Sequence, residues 1–396
     1  MKKIKLNLIE LIILVSIPSL ILSLLTGTVI YSKLNNTGKV TSTNNQHVNQ
    51  FINVYNELLD EYYEDLDENE LVDAAINGML SYAGDDYTIY MNEDATEALN
   101  SQLEGTYEGV GIRITLDENY NIVIVEVFEN SPASIAGIKV NDILIGINDI
   151  DLTNKSTVEA SEIIKSSKEP NIKIKVLRNN EQLEFNVERK TLIVPAITSS
   201  IKEVNNKKVG YIYISTFNST IDTQISKTLS TMEKDGIDSL IIDVRGNTGG
   251  YLTNCTKVVE MFLKKGSLMY SIKSKNNENH YYDQTDEERT YPIVVLIDSG
   301  SASASEILAT SLHDSYGATI IGTKSFGKGK VQTTGTLSDG TMIKYTSAKW
   351  YTPKGECIDE IGITPDIIVE LSEDYIDNPI DENDNQLNEA LKILTK

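Results

Sequence analysis

The sequence predicts a multidomain protein in which a helical N-terminal region and an inserted, mostly β domain precede an α/β core. Apolar residues recur at helical spacing across 51–100, and short alternating strands follow across 103–189. From Val209 onward, continuous apolar runs alternate with helix-like stretches, a pattern typical of a parallel sheet covered on both faces. With 396 residues the chain is too long for one ordinary core, so we expect several domains.

The N-terminus predicts a transmembrane anchor. Residues Leu11 to Tyr31 form an apolar run that can span a bilayer core of about 30 Å, and Lys2, Lys3 and Lys5 precede it. Positive charges favour the cytoplasmic side, so the rest of the chain is expected outside the cell. Secretion after signal-peptide cleavage is the alternative, but no clear cleavage site with small residues follows the run. We therefore expect an uncleaved single-pass helix in the cell membrane.

Composition argues against several classes of function. The chain has 58 acidic and 35 basic residues and a net charge of −23, whereas nucleic-acid binding relies on cations that neutralise phosphates. A nucleic-acid partner is therefore not predicted. The three histidines and two cysteines form no Cys/His cluster, so a metal site is not predicted either. Cys255 and Cys357 are able to pair outside the cell, but one pair is no disulfide scaffold in a chain of this size. Cys255 falls in a predicted helix, and a buried free thiol is the alternative there.

These patterns divide the chain into seven segments: a cytoplasmic end (1–10), the anchor (11–31), a polar linker (32–50), the helical region (51–102), the β domain (103–190), the α/β core (191–370) and an acidic, then helical, tail (371–396). In the β domain, Gly109-Val110-Gly111-Ile112 opens the first strand, further strands are predicted at 122–127, 142–148 and 172–176, and a helix at 157–166. In the core, strands are predicted at 209–214, 240–244, 293–297, 318–321 and 331–334, and helices at 221–234, 252–262, 306–314 and, in the tail, 385–394.

Two polar residues follow consecutive strands of the predicted core. Ser303 lies in a Ser/Ala-rich loop after the strand at 293–297, and Lys328 lies in a glycine-flanked loop after the strand at 318–321. Open α/β sheets carry their active sites where neighbouring strands end. A hydroxyl becomes a good nucleophile when a base takes its proton, and a neutral lysine amine can be that base. The pair predicts a Ser/Lys dyad hydrolase.

Two simpler interpretations compete with the dyad. Small residues before a helix usually serve only as a cap and for tight packing. Residues 322–328 also fit the phosphate-loop pattern G-x-x-x-x-G-K, but that motif continues with Ser or Thr and a helix. This chain has Gly329 instead, followed by a β-branched stretch that predicts a strand, so we reject the nucleotide site.

Several motifs, in one order, resemble those of a known family. They are Gly84-Asp85-Asp86-Tyr87, Asp243-Val244-Arg245-Gly246-Asn247-Thr248-Gly249-Gly250, Ser301-Ala302-Ser303-Ala304-Ser305-Glu306, Phe326-Gly327-Lys328-Gly329-Lys330-Val331-Gln332 and Tyr351-Thr352-Pro353-Lys354-Gly355. Together they look like the carboxyl-terminal processing peptidases, or tail-specific proteases, of peptidase family S41. The resemblance covers about residues 70 to 370 and implies a core related to the crotonase and Clp protease topology. The ordered strands and glycine loop of the β domain look like a PDZ domain.

The resemblance implies a role for each candidate site residue. Ser303 matches the nucleophile, Lys328 the general base and Gln332 the residue that orients the lysine. The oxyanion donors are expected to be the backbone N–H groups of Gly249 and Ala304. Lys328 must be neutral to act as a base, so burial has to lower its pKa from about 10.4.

The resemblance also implies partners. The PDZ loop Gly109, Val110, Gly111 and Ile112 is expected to bind the C-terminal carboxylate of unstructured polypeptide substrates, while the peptide adds a strand to the sheet edge. No metal or organic cofactor is implied, and a homodimer stays open. Two rival classes are a catalytically silent, membrane-tethered PDZ adaptor and a crotonase-type acyl-CoA enzyme. Extracellular placement counts against the second, because acyl-CoA is a cytoplasmic metabolite.

Four further residues are expected to have structural roles. Ser305 is expected to cap the helix that follows Ser303. Asp314 is read as structural, because a carboxylate next to the base would raise the pKa of the lysine. Asp243 and Arg245 are expected to form a local ion pair.

Overall fold

The computed structural model describes residues 45–167, 169–337 and 340–396. The predicted anchor, Leu11 to Tyr31, lies outside this part of the chain. Within the described ranges, no helix is both long enough and apolar enough to cross a membrane. The chain forms two compact units, one up to Met79 and the other from Leu80 onward.

The first unit contains α1, Gln46–Glu61, and most of α2, Glu68–Tyr82. The side chain of Asn45 caps α1 by accepting a hydrogen bond from the backbone N–H of His47. Neither helix has a fully buried residue in this single chain, although several of their apolar side chains are partly buried. The helical spacing predicted from residue 51 is confirmed.

The second unit opens with β1, Ile89–Met91, and α3, Glu93–Glu104. The β domain follows as a six-stranded antiparallel sheet in the order β3-β4-β5-β7-β8, with β6 paired to β5, and a separate ribbon of β2 and β9. Its elements are β2 Thr106–Gly109, β3 Ile112–Leu116, β4 Ile122–Val127, α4 Pro132–Ala136, β5 Ile143–Ile147, β6 Ile150–Asp151, α5 Thr157–Ser166, β7 Asn171–Arg178, β8 Glu181–Glu188 and β9 Lys190–Ile193.

The β domain has a hydrophobic core of its own. Alternate residues of its strands, including Ile124, Ile147, Ile172 and Ile174, are fully buried in one cluster. Alternation of this kind is what a sheet with one buried face requires. The strands predicted within 122–176 and the helix predicted at 157–166 are therefore confirmed.

The core contains the remaining elements: β10 Ile197–Val204, β11 Lys207–Ile214, α6 Ile221–Lys234, β12 Ser239–Asp243, α7 Leu252–Glu260, β13 Leu268–Ser274, β14 Glu278–Tyr282, β15 Ile293–Ile297, α8 Ala304–Ser311, β16 Thr319–Gly322, β17 Lys330–Thr336, β18 Met342–Tyr351, β19 Ile367–Ile368, α9 Glu373–Asp377 and α10 Asn385–Leu394. Its main sheet has the order β10-β11-β12-β15-β16-β19, and all its neighbours are parallel except β10 and β11.

Both faces of the main sheet are covered, as the continuous apolar strands predict. Every residue of β12 and β15 is buried. On one face Ile242 and Val295 pack in a cluster with residues of α6, α7 and α8. On the other, Ile241 and Val294 pack against residues of α10. This arrangement places the ends of β12, β15 and β16 side by side, which fixes where the site forms.

A second, antiparallel sheet was not predicted. It has the order β1-β18-β13-β14, with β17 also paired to β18. Only the strand at 331–334 had been expected there. The other strands alternate polar and apolar residues irregularly, and β17 and β18 share a register shift between Val331 and Gln332. Such pairing depends on partners distant in sequence, which local periodicity does not report.

The helix after Ser303 differs from its prediction at both ends. It begins at Ala304 with Ser303 as the N-cap residue, and it passes into a π-helical turn, Leu312–Tyr316. Ser305 is not the cap, because its Oγ donates a hydrogen bond to the carbonyl of Asn247 at 2.7 Å. The wider turn adds a residue, so 3.6-residue spacing cannot locate where the helix ends.

Candidate active site

Ser303 occupies a sharp turn between β15 and α8. Its backbone has φ 57° and ψ −113°, a region that costs a non-glycine residue free energy. The loop before it is held from behind, because Ser301 Oγ donates to the carbonyl of Val244 at 2.8 Å. The turn leaves Ser303 half-buried at the start of the helix. Such strain is typical of functional sites, where surrounding contacts hold the conformation.

Glu306 supplies those contacts, although its residue type and position alone did not predict a role at the site. Its carboxylate is fully buried and accepts four hydrogen bonds: from Ser303 N at 2.7 Å, Lys328 N at 2.9 Å, Gly327 N at 2.7 Å and Ser325 Oγ at 2.6 Å. One carboxylate therefore joins the serine turn to the lysine loop. Burial raises the pKa of this carboxyl group, and the four hydrogen bonds oppose that shift. The available signal was a Glu three residues after a helix-capping Ser, the capping-box pattern.

Lys328 is held in an environment that disfavours its ammonium form. Burial lowers the pKa of its side chain, the positive charge of Lys344 lowers it further, and the charges of Glu306 and Asp85 oppose both. Its Nζ lies 4.7 Å from the centre of the Tyr87 ring, a contact that favours the ammonium form and so also opposes the lowering. The condition that burial should lower the pKa of Lys328 is met. Tyr87 belongs to the motif at 84–87, and its contact with a lysine 241 positions later in the chain is not visible in the sequence.

Gln332 lies in β17 and lines the same cleft as Ser303 and Lys328. Its amide nitrogen is buried and has no hydrogen-bond partner among the described residues. A buried amide nitrogen without a partner is costly, so in this state both of its N–H donors are free for an incoming group. The predicted role of Gln332 in orienting Lys328 stays a prediction.

The glycine turn after β12 packs against the serine. Gly249 has φ 109°, and a Cβ placed on it would lie 3.0 Å from Ser303 Cβ and 3.1 Å from Ala304 N. Its N–H donates to Asn247 Oδ1 at 2.8 Å. Asn247 is itself fixed, since its Nδ2 donates to the carbonyl of Ile214 at 2.9 Å. In this conformation, one of the two expected oxyanion donors is therefore engaged within its own turn.

These residues surround one cleft of 420 Å³. It contains all five residues predicted for the catalytic and oxyanion roles: Ser303, Lys328, Gln332, Gly249 and Ala304. Apolar side chains form much of its remaining wall, among them Leu103, Leu252, Ile307, Val331 and Trp350. A larger cavity of 670 Å³ lies beside the C-terminus and contains none of the five. Among the described residues, no cluster of His, Cys, Asp or Glu is arranged to hold a metal ion.

The predicted peptide-binding loop lies in the β domain and does not line this cleft. Gly109 ends β2, Ile112 begins β3, and Gly111 between them has φ 88°. A Cβ on Gly111 would lie 2.2 Å from Ser131 Cβ, so the tight turn requires glycine. Strand β3 is at the edge of its sheet, paired to β4. An edge strand has one side open for pairing with an added peptide.

The remaining predicted residues have structural contacts. The expected ion pair is confirmed: Arg245 Nη2 lies 2.6 Å from Asp243 Oδ2, and it also contacts Asp384 Oδ2 at 2.7 Å. Asp314 pairs with His313 at 2.6 Å and with Lys354 at 2.9 Å and does not line the cleft.

Both cysteines are free thiols, so they do not pair with each other. Cys255 is buried, and its Sγ donates to the carbonyl of Ala304 at 3.1 Å. The alternative of a buried free thiol in a helix is therefore the one observed.

Comparison with known proteins agrees with this architecture. The sequence model of peptidase family S41 matches residues 208–369, and that of the PDZ domain matches 100–177. A third, the N-terminal domain of the activating protease CtpB, matches 26–95.

The chain is similar to two curated proteins of Bacillus subtilis. It is 34% identical to the carboxy-terminal processing protease CtpB over 360 residues, which is 90% of this chain and 74% of the relative. It is 32% identical to the carboxy-terminal processing protease CtpA over 343 residues, 86% and 72% of the two chains. Among solved structures, the photosystem II D1 C-terminal processing protease superposes with a TM-score of 0.50 at 23% identity, covering 87% of this chain and 91% of the other, and it shares the fold.

Proposed function

Because this chain belongs to peptidase family S41 and is a C-terminal processing serine peptidase with a PDZ domain, we propose that Ser303 is its nucleophile and Lys328 its general base. One observation carries the assignment. The strained serine and a lysine whose ammonium form is disfavoured share one cleft, and a single buried carboxylate, Glu306, is hydrogen-bonded to the backbone of both.

The proposed reaction is acyl transfer in two steps. Neutral Lys328 takes the proton of Ser303 Oγ as the oxygen attacks the peptide carbonyl, and the ammonium then protonates the leaving amine. Water, activated by the same lysine, hydrolyses the acyl-enzyme and regenerates Ser303. Gln332 offers its unpaired amide N–H to the lysine or to the peptide. A neutral amide can orient an amine without stabilising its ammonium form.

The oxyanion donors in this proposal are the backbone N–H groups of Gly249 and Ala304. The two groups lie beside each other at the serine turn. Because Gly249 N–H donates to Asn247 in the resting conformation, it must exchange that bond for one to the developing oxyanion. The exchange requires a rotation of the peptide group between Thr248 and Gly249.

Substrate capture is proposed for the PDZ domain. The open edge of β3 and the glycine turn at 109–112 support binding of an unstructured chain end as an added strand. The captured polypeptide then supplies its cleavage site to the catalytic cleft. Cleavage near the C-terminus follows, because the captured end limits which bonds reach Ser303.

We also propose that the catalytic unit is extracellular and anchored by 11–31. Support comes from the length of that apolar run and the three lysines before it. Protease accessibility of an epitope at Lys396 on intact cells tests this, with secretion after cleavage as the competing result.

A homodimer is proposed through the first unit. Helix α1 has no buried residue, and its apolar Phe51 and Val54 are half-exposed. A helix with an exposed apolar face gains stability by pairing with a second copy. The molar mass of the full-length protein in solution distinguishes a dimer from a monomer.

The decisive experiment for the activity uses an unstructured reporter polypeptide, the parent protein and Ser303→Ala. We expect cleavage by the parent alone and, at the same protein concentration, none by Ser303→Ala or Lys328→Met. Binding of the free C-terminus by all three proteins without cleavage would favour the adaptor class. Equal cleavage by parent and Ser303→Ala would refute Ser303 as the nucleophile.

A further inference from the structure

The charged side chains of the catalytic cleft are all of one sign. Three lysines line it, Lys328, Lys330 and Lys344, and no Asp or Glu is among the described residues that do. The whole chain has a net charge of −23, so the lining is opposite in sign to the rest of the protein. A cationic cleft within an acidic protein attracts anionic groups to that position.

Two of the three lysines are already accounted for. Lys328 is the proposed base and must be neutral. Lys330 is paired, since its Nζ lies 3.4 Å from Asp85 Oδ1 and 3.9 Å from Glu360 Oε1. Lys344 is half-buried and has no ion-pair partner in the part of the chain that the structure describes. A cation that is partly removed from water without a partner is unfavourable, so binding an anion there gains free energy.

The position of Lys344 relates it to the peptide path. It lies in β18, opposite Thr334 of β17, and Thr334 also lines the cleft. Gln332, two residues earlier on β17, lies opposite Thr346. Since residues two apart on a strand share a face, Lys344 extends the surface that begins at the catalytic lysine and Gln332. Its charge also acts on Lys328 through space.

We propose that Lys344 binds a carboxylate of the peptide substrate and so gives this protease a preference for acidic segments. The inference rests on the proposed function, because it requires a peptide in the cleft. Two sources supply the same chemistry: an Asp or Glu side chain near the scissile bond, and the free α-carboxylate of a short chain end. Either would form a partly desolvated ion pair, which is stronger than an exposed one.

The test uses three kinds of internally quenched peptide that differ only in charge. The first kind is a series with an amidated end, in which a single Glu is placed in turn at each position flanking the scissile bond. The second carries Gln and a free C-terminal carboxylate, and the third carries Gln and an amidated end. For the full-length parent we expect kcat/KM for one acidic peptide to exceed that for the neutral peptide by about tenfold, mainly through KM.

Matched variants assign the preference to one side chain. In Lys344→Met, which keeps an unbranched side chain, the acidic-to-neutral ratio should fall to about one, whereas Lys344→Arg should retain it. Lys344→Glu should reverse it in favour of a Lys-containing peptide. Lys273→Met is the control: Lys273 lies in the same antiparallel sheet, outside the cleft and paired with Glu278 at 3.5 Å, so the parent ratio is expected.

The outcomes separate this inference from the function on which it rests. A ratio near one in the parent, or a ratio that survives in Lys344→Met, would overturn the role of Lys344 while cleavage itself stands. Loss of cleavage of all three peptides in both Lys344→Met and Lys344→Arg would indicate a structural role and also overturn it. If parent and Ser303→Ala cleave alike, the proposed function fails whatever the ratio.

Discussion

At the scale of single residues, the backbone of Ser303 is the most constrained feature of the site. Few non-glycine residues adopt φ 57° with ψ −113°, and the conformation costs on the order of 1–3 kcal/mol. The motif around Ser303 could be recognised from sequence because its residue types are unusual. The strain could not, because it arises from contacts with the glycine turn and Glu306, which are distant or unassigned in the sequence.

The strain predicts an order of stability for two inactive variants. Ser303→Gly should have a free energy of unfolding about 1 kcal/mol higher than Ser303→Ala, after allowing for the entropy that glycine adds to the unfolded chain. Urea denaturation of both proteins measures the difference. A less stable Ser303→Gly would show that the turn is not strained in solution.

The environment of Lys328 predicts a pH dependence. The base acts when neutral, so kcat/KM should rise as pH increases through the pKa of Lys328, which burial lowers from its usual value of about 10.4. Replacing Lys344 by Met removes the second cause of that shift, so the rising limb should move to higher pH. A pH–rate profile on a peptide without acidic groups measures both. An unmoved limb in Lys344→Met would contradict the coupling between the two lysines.

At the scale of elements, Glu306 connects the start of α8 to the loop before β17. Each of its carboxylate oxygens accepts two hydrogen bonds; Ser325 Oγ and Gly327 N, for example, both donate to Oε1. A neutral amide cannot replace the carboxylate, because its NH₂ group has no lone pair to accept from such donors. We expect Glu306→Gln to lower the free energy of unfolding by about 3 kcal/mol and to reduce kcat.

The chain contains a matched control for Glu306. Glu159 occupies the same capping-box position in α5, but it is exposed and accepts its bonds at the surface. Glu159→Gln should change stability much less and leave kcat at the parent value. Thermal unfolding and steady-state cleavage of both variants provide the comparison. Equal losses of stability and of kcat in the two variants would contradict a particular role for the buried position of Glu306.

Strands and helices differed in how well they could be predicted. Strand β15 and helices α6 and α10 were predicted with their observed bounds, because β15 is a continuous apolar run and the two helices have a clear apolar period. The antiparallel sheet that contributes Gln332, Trp350 and Lys344 was missed, because its pairing is non-local. The parts of the cleft built by the main sheet and its helices therefore follow from sequence periodicity. The part built by the antiparallel sheet does not.

At the scale of the whole molecule, a buried ion-pair network fastens the C-terminal segment to the core. Arg245, two residues after the end of β12, contacts Asp243 and Asp384, and its Nη1 also donates to Gln386 Oε1 at 2.8 Å. The ion pair between Asp243 and Arg245 was predictable, because the two residues are only two positions apart in the sequence. The link to Asp384 was not, since 139 residues separate the partners.

This network predicts a large effect on global stability. Arg245→Met leaves two buried carboxylates without their cation and should lower the free energy of unfolding by about 3–5 kcal/mol. Lys392→Met is the control, because Lys392 is 61% exposed in its pair with Glu389 and should change stability by less than about 1 kcal/mol. Chemical denaturation distinguishes the two, and a small effect for Arg245→Met would show that the C-terminal segment is held by apolar packing alone.

The hydrogen bond from Gly249 N–H to Asn247 has a consequence for inhibitors. A boronate that forms a tetrahedral adduct with Ser303 needs that N–H, which the resting protein withholds. Inhibition should therefore develop in two phases, a weak initial complex followed by slow tightening as the peptide group rotates, and progress curves should bend over time. An inhibitor that only fills the apolar wall should reach its final potency at once. The ratio of the initial to the final inhibition constant would report the free energy gained when the turn opens and binds the adduct.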